Sequence, residues 1–292
     1  MGLDPDWLAD LTDRLALPLI CAPMTGASGP ELVIAASQAG IAAAFPTRNC
    51  ASGEELESWL AQISGACPDA PNGPVGANLI MRDGTRLAAD LEAVIRHGVD
   101  FVISSVGSPE RIVPPLHEAG IPVFADVASL RHVRNALAAG ADGLVLLTAG
   151  AGGHTGWANP FAFARAVRAE YDGPLVLAGG VSDGRALWSA IVLGFDLAYM
   201  GTRFLATHES RLSDTYKQAV LAASLDDIEL APAPNGIAAS LIRGGSGSAG
   251  HAVSGVTELL SVREVVSRTV AEWDAARDET ARMLRDRVAD RR

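Results

Sequence analysis

One phrase recurs along this chain: a helical stretch, a glycine, then a β-rich apolar run. It reads QAG-IAAAF (38–45), RHG-VDFVISS (96–105), EAG-IPVFADV (118–127), AAG-ADGLVLL (138–147), YDG-PLVLAGG (171–180) and VLG-FDLAYMG (192–201). Gly40, Gly98, Gly120, Gly140 and Gly194 stand where a helix ends on a left-handed glycine. The interval, roughly twenty to thirty residues, is that of one strand–helix unit. LPLICAPM (17–24) and PVGANLI (74–80) complete a set of eight apolar runs, at about 17–24, 41–46, 74–80, 100–107, 122–127, 143–150, 174–181 and 195–204. Helical patterns lie between them near 29–39, 53–65, 86–97, 111–119, 129–139, 160–170 and 183–193.

Strands that are apolar almost throughout belong to parallel sheets covered on both faces. Eight such units within about two hundred residues predict an α/β fold, the (β/α)8 TIM barrel. An open doubly wound sheet is the alternative. The strand number and the missing dinucleotide fingerprint in the first turn count against it. The chain then divides into a barrel at 1–210 and a C-terminal part at 211–292. The second part holds a helix at 212–224 and a Gly-, Pro- and Ser-rich loop at 232–256 that reads as a mobile lid. A charged helical tail at about 258–287 reads as a solvated face, a candidate for docking or homo-oligomer contact.

Composition narrows the functions. The net charge of −11 argues against binding a nucleic-acid backbone. No run of about 18 uncharged apolar residues is present, so no membrane span is expected. The N-terminal MGLDPDWLADLTDRL lacks the basic start and apolar centre of a signal peptide, and three cysteines (Cys21, Cys50, Cys67) read as reduced thiols, so a cytoplasmic setting is expected. The only lysine is Lys217, beyond the last strand, which excludes Schiff-base chemistry in the barrel.

In a TIM barrel the chemistry sits at the C-terminal strand ends. Strand seven ends AGGVSDG and strand eight YMGTRF, so glycines, Ser182 and Asp183 precede a helix while Gly201 and Thr202 close the last strand. Free backbone N–H groups there make an anion site. Strand six ends TAGAGGHTG, where Gly152 and Gly153 admit close backbone approach to a flat ligand and His154 stands at the rim. An imidazole there can take or give a proton near neutrality. His97, His117 and His132 fall in helix patterns; His208 and His251 lie beyond strand eight. Asp126 ends strand five, either as an inward carboxylate or as a cap shared with Ser129, and Asn78 ends strand three with both donor and acceptor. Met24 either faces a ring or fills core. No set of metal ligands stands out.

APMTG (22–26), GANL (76–79), GAGGHTG (150–156), LAGGVSDGRA (177–186) and YMGTRFLATHES (199–210) occur in the order that marks the nitronate monooxygenases, formerly 2-nitropropane dioxygenases, and the chain resembles that family from about 15 to 210. The resemblance implies a barrel that binds FMN and needs no metal. It implies that Met24 and Asn78 contact the flavin, that Gly152 follows, and that Gly179, Gly180, Tyr199, Met200, Gly201 and Thr202 hold the phosphate end. Ala22, Pro23, Asp126 and Gly153 complete the expected FMN-binding set, and His154 matches the catalytic histidine. Leu147 and Thr148 stand where the family has Gln-Gly, and Gly150 where it has an acidic residue.

The expected function is FMN-dependent oxidation of alkyl nitronates by O2 to a carbonyl compound and nitrite, with His154 removing the α-proton of a neutral nitroalkane. Three alternatives stand beside it. They are an FMN-dependent NAD(P)H enoyl-thioester (enoyl-ACP) reductase, a non-redox barrel lyase or isomerase, and a flavin-binding protein without turnover.

Overall fold

The computed structural model describes residues 3–4, 6–68, 71–82, 84–233, 236–244 and 247–289, with side chains as far as Asp286. In chain order the strands are β1 (Leu19–Cys21), β2 (Ala42–Pro46), β3 (Val75–Ile80), β4 (Phe101–Ser105), β5 (Val123–Val127), β6 (Gly143–Leu147), β7 (Gly153–His154), β8 (Leu175–Ala178), β9 (Leu197–Met200), β10 (Ile228–Pro232) and β11 (Ala238–Ile242). The helices are α1 (Trp7–Asp13), α2 (Pro30–Gln38), α3 (Gly53–Ala66), α4 (Leu87–His97), α5 (Val113–Glu118), α6 (Leu130–Ala138), α7 (Pro160–Arg168), α8 (Gly184–Leu193), α9 (Thr202–Leu205), α10 (Asp214–Ala222) and α11 (Val262–Ala289). Eight parallel strands close in the order β1-β2-β3-β4-β5-β6-β8-β9, and β9 returns to β1 through Ile20–Tyr199 and Cys21–Met200. The molecule is a (β/α)8 TIM barrel.

The repeated phrase builds this barrel in two ways. Gly40, Gly98, Gly120, Gly140 and Gly194 all have positive φ at helix ends, which turns the chain into the next strand. The aspartate that follows three of them stitches strand starts together. Asp100, Asp142 and Asp196 accept from the N–H of Val75, Val123 and Leu175, the first residues of the preceding barrel strands, at 2.7, 2.8 and 2.8 Å. Each carboxylate also meets a basic side chain, Arg14, His117 or Arg168 respectively.

Strand alternation sorts the core into two layers. Leu19, Phe45, Leu79, Val102 and Leu146 face the helices, whereas Ile20, Ala44, Phe101, Ile103, Phe124, Val145, Val176 and Leu197 fill the barrel. Gly76 and Gly143 are inward positions where an added Cβ would run into the Phe101 and Phe124 rings. These glycines let two aromatic rings meet inside, at 6.0 Å and edge to face. Trp7 of α1 closes the base, edge-on to Phe124 at 5.5 Å.

The tail differs from the solvated face expected of it. Val262, Val265, Val266 and Ala276 are buried, and α11 lies against α8 and α2. Trp273 meets Trp188 edge to face at 5.3 Å, and Trp188 Nε1 donates to Thr280 Oγ1 at 3.0 Å. The apolar positions recur on one helix face beneath the charges, which is why composition alone hid it. The expected lid is also more ordered than a loop. β10 and β11 pair antiparallel, and β11 pairs with β7 through Ala239–His154 and Ser240–Gly153. Within this segment Pro234, Asn235, Gly245 and Ser246 lie outside the described residues. Among the described residues no helix is long and apolar enough to cross a membrane.

Candidate active site

The C-terminal strand ends surround a cavity of about 420 Å³. The strand pleat sets its floor: each side chain two residues beyond the inner core layer points into the mouth. Thus Ser105 stands above Ile103, Asp126 above Phe124, Leu147 above Val145, Ala178 above Val176 and Tyr199 above Leu197. Asn78 joins them from β3, its Nδ2 donating to Ile103 O and Ser105 Oγ at 3.1 Å each. Ala22, Pro23 and Met24 enter from the end of β1. Met24 N donates to Ser28 Oγ and its carbonyl accepts from Asn49 Nδ2, both at 3.0 Å, so its thioether is aimed by its backbone.

Asp126 resolves toward the cavity. Ser129 caps α6 by itself, its Oγ accepting from His132 N at 3.2 Å. Asp126 Oδ1 is sealed from water and has no hydrogen-bond partner, and burial pushes the carboxyl up to about 7. Tyr199 OH is also buried without a partner. Burial first, and then the nearby Asp126 charge, holds the phenol well above its usual range.

Gly179 and Gly180 form one edge, with φ of 125° and 80°, and Gly201 and Thr202 lie beside them where β9 meets α9. A Cβ on Gly179 would approach Thr148 Oγ1 to 2.6 Å and Ala151 N to 2.9 Å, so only glycine fits there. The start of α8, expected as part of the anion site, is already filled. Asp183 Oδ1 accepts from Ala186 N at 2.8 Å, and Glu272 Oε2 of α11 accepts from Gly184 N at 2.9 Å. Two carboxylates at that helix end leave a further anion no favourable place. Met200 is the one member of the expected set that does not border the cavity. Alternation along β9 turns Tyr199 inward and buries Met200 under the helices.

His154 borders the cavity from β7, next to Gly153 at φ 67°. The neighbouring glycines admit backbone, but that backbone is the chain's own. Gly250 N donates to Thr202 Oγ1 and His251 N to Gly150 O, both at 2.9 Å. A Cβ on Gly152 would lie 2.8 Å from Gly250 N, and one on Gly150 would lie 2.6 Å from His251 Nδ1. His251 therefore covers the position where the resembled family carries an acidic side chain. Thr148, in place of a glycine, donates its hydroxyl to Ala178 O at 2.9 Å.

The remaining histidines serve elsewhere: His97 meets Glu57, His117 meets Asp142, and His208 is exposed beyond β9. Lys217 is buried away from the cavity and donates to His208 O at 3.4 Å. Several cavity residues escape sequence reasoning. Ser105 ends β4 and Val106 follows it; Tyr216 comes from α10; Ala233, Ala239, Ala249 and Ala252 come from the C-terminal strap. Among the described residues Val106 is the one non-glycine at left-handed φ, 58°, a strained conformation for a β-branched residue. Nothing in SSVGSP signals it. Alanines in a loop carry no signal either.

A family model described as nitronate monooxygenase matches residues 73–249. Among curated relatives, a (3aS,4S,5R,7aS)-5-hydroxy-7a-methyl-1-oxo-octahydro-1H-indene-4-carboxyl-CoA dehydrogenase of Mycobacterium tuberculosis is 31% identical over 74% of this chain and 61% of its own length. A nitronate monooxygenase of Paraburkholderia phytofirmans is 31% identical over 56% of this chain and 47% of its own. The chain thus spans about half to three-fifths of these relatives. Among solved structures, FabK from Thermotoga maritima superposes with a TM-score of 0.83 at 24% identity, covering 94% of this chain and 98% of that one, a likeness of fold.

Proposed function

Because the chain belongs to the nitronate monooxygenase family, we propose that it is an FMN-dependent oxidoreductase that converts alkyl nitronates and O2 to a carbonyl compound and nitrite. One observation carries the reading: a single cavity joins His154, the Gly179–Gly180 and Gly201–Thr202 edge, and a floor with two unpartnered polar atoms. Those residues fit a flavin. Asp126 Oδ1 and Tyr199 OH call for a polar partner that no described side chain supplies, and the glycine edge borders the same cavity, where a phosphate-bearing tail would lie.

When bound, FMN supplies the electron-accepting chemistry that the side chains lack. In this reading Ala22, Pro23, Met24 and Asn78 flank the ring, Asp126 and Tyr199 meet its polar edge, and Gly152, Gly153, Gly179, Gly180, Gly201 and Thr202 bound the rest. Met200 contributes only backbone. His154 takes the α-proton of a neutral nitroalkane and holds the resulting nitronate at the rim. The strap alanines and Tyr216 keep water from the substrate side. The carbon gains one oxygen atom and nitrite leaves, so one O2 serves two nitronates, one oxygen atom going to each carbonyl product.

Nitrite release from a nitronate under air tests this. Nitrite formed in step with nitronate loss supports it; a flavin-loaded protein that forms none rejects the substrate. A second reading is favoured by one fact: the relative matched over 74% of this chain is named as a carboxyl-CoA dehydrogenase. Anaerobic bleaching of the bound flavin by an alicyclic acyl-CoA, without nitrite formation from nitronates, selects that reading. Rapid bleaching by NADPH selects an enoyl-thioester reductase.

A further inference from the structure

We propose that Asp126 stands in the cavity as a neutral carboxylic acid and, with the Tyr199 hydroxyl, donates hydrogen bonds to the acceptor-bearing edge of the flat ring that the cavity takes. This deepens the flavin reading and rests on it for the identity of the ring. The observations concern the chain itself. Asp126 follows Phe124 by two residues on β5, so the pleat sends its side chain into the mouth. Its Oδ1 is buried with no partner, and so is Tyr199 OH. Two unsatisfied polar atoms on one cavity floor are costly unless a ligand completes them.

The surroundings decide the protonation state. β4 presents Ile103 and Ser105 beside Asp126, and β6 presents Val145 and Leu147. From β9 comes Tyr199, and His154 of β7 borders the same cavity. Among the described residues no arginine or lysine borders this space. Asp126 is half-buried, with its Oδ1 sealed. A carboxylate here would have little water and no arginine or lysine partner, so the acid keeps its proton up to about neutrality, in line with the upward push that burial exerts on it.

The chemistry follows from that proton. A carboxylate only accepts hydrogen bonds, whereas a neutral carboxyl donates one. Paired with a phenol O–H, it offers two donors to ring carbonyl oxygens or an imine-type nitrogen. Such donors strengthen as negative charge collects on that edge. Once Asp126 ionises, the same position repels it.

Two measurements test this on the 292-residue chain. The first is an infrared pH titration of the flavin-free protein. A protonated-carboxyl band that fades as pH rises through neutrality and is absent in Asp126→Asn is expected; absence of an Asp126-dependent band overturns the proposal. The second is binding of lumiflavin, which has no titrating phosphate, followed by fluorescence quenching. Wild-type affinity is expected to fall about tenfold or more between about pH 6 and about pH 8.5. Asp126→Asn keeps a donor that cannot ionise and is expected to stay level; a parallel fall in that variant overturns the proposal. Tyr199→Phe, with its fold checked by circular dichroism, is expected to bind several-fold more weakly while keeping the wild-type pH dependence; unchanged affinity removes Tyr199 from the pair. Failure of every variant and the wild type to bind lumiflavin counts against the flavin reading itself, and the infrared titration tells the two failures apart.

Discussion

His154 owes its position to a two-residue edge strand paired with Ala239 of the C-terminal strap, so its imidazole reaches the cavity from a backbone held by that pairing. That placement makes a sharp kinetic prediction. His154→Ala retains flavin, while nitrite release from neutral nitroalkanes falls about 10²- to 10⁴-fold, the range of a lost general base. Preformed nitronates need no proton removed, and their turnover stays within about tenfold of wild type. Equal losses on both substrates contradict a base role for His154. The histidine was legible because it interrupts a glycine run after an apolar strand. Gly152 was legible only as a close-approach site, and Gly150 only as a departure from the family's acidic position. That the approaching backbone is residues 249–251 was not, because this contact spans about a hundred residues of sequence.

At the scale of elements, the strap is where sequence reasoning ran short. Barrel strands announce themselves by apolar runs, and the glycine–aspartate phrase marks their starts. β10 and β11 are short, mixed in polarity and separated by a segment holding Pro, Asn and Gly, so local pattern reads as loop while tertiary pairing makes a sheet. The junction with the barrel is tight. A Cβ on Gly250 would lie 2.5 Å from Gly150 O and 2.8 Å from Gly152 N, with backbone on both sides and nothing flexible to yield. Gly250→Ala is therefore expected to lower stability by about 1–3 kcal/mol and to weaken flavin retention, since the strap walls the cavity. Urea midpoints and flavin content check both. A variant with wild-type stability and full flavin content contradicts the tight crossing.

Across the whole molecule, the fold was readable because its architecture repeats, and the site was readable in outline because a closed barrel collects its strand ends at one rim. The unpartnered floor was not readable, since partners come from strands far apart in sequence. That floor leaves its mark on global stability. Below about pH 4 Asp126 is protonated in both folded and unfolded chains. Between there and about 7 the unfolded chain releases the proton and the fold keeps it, so stability falls as pH rises. The loss reaches up to about 4 kcal/mol above that window. Asp126→Asn removes this dependence, so its stability relative to wild type is expected to climb from about pH 4 to about pH 7 and then level off. A pH-independent difference in urea midpoints contradicts the buried acid.

Each of these functional outcomes rests on the proposal that a flavin sits in the barrel mouth beside His154. The visible absorbance spectrum of the protein, incubated with FMN and freed of unbound cofactor by gel filtration, tests it most directly. A yellow protein holding close to one flavin per chain is expected; a colourless protein that has released all its FMN contradicts it.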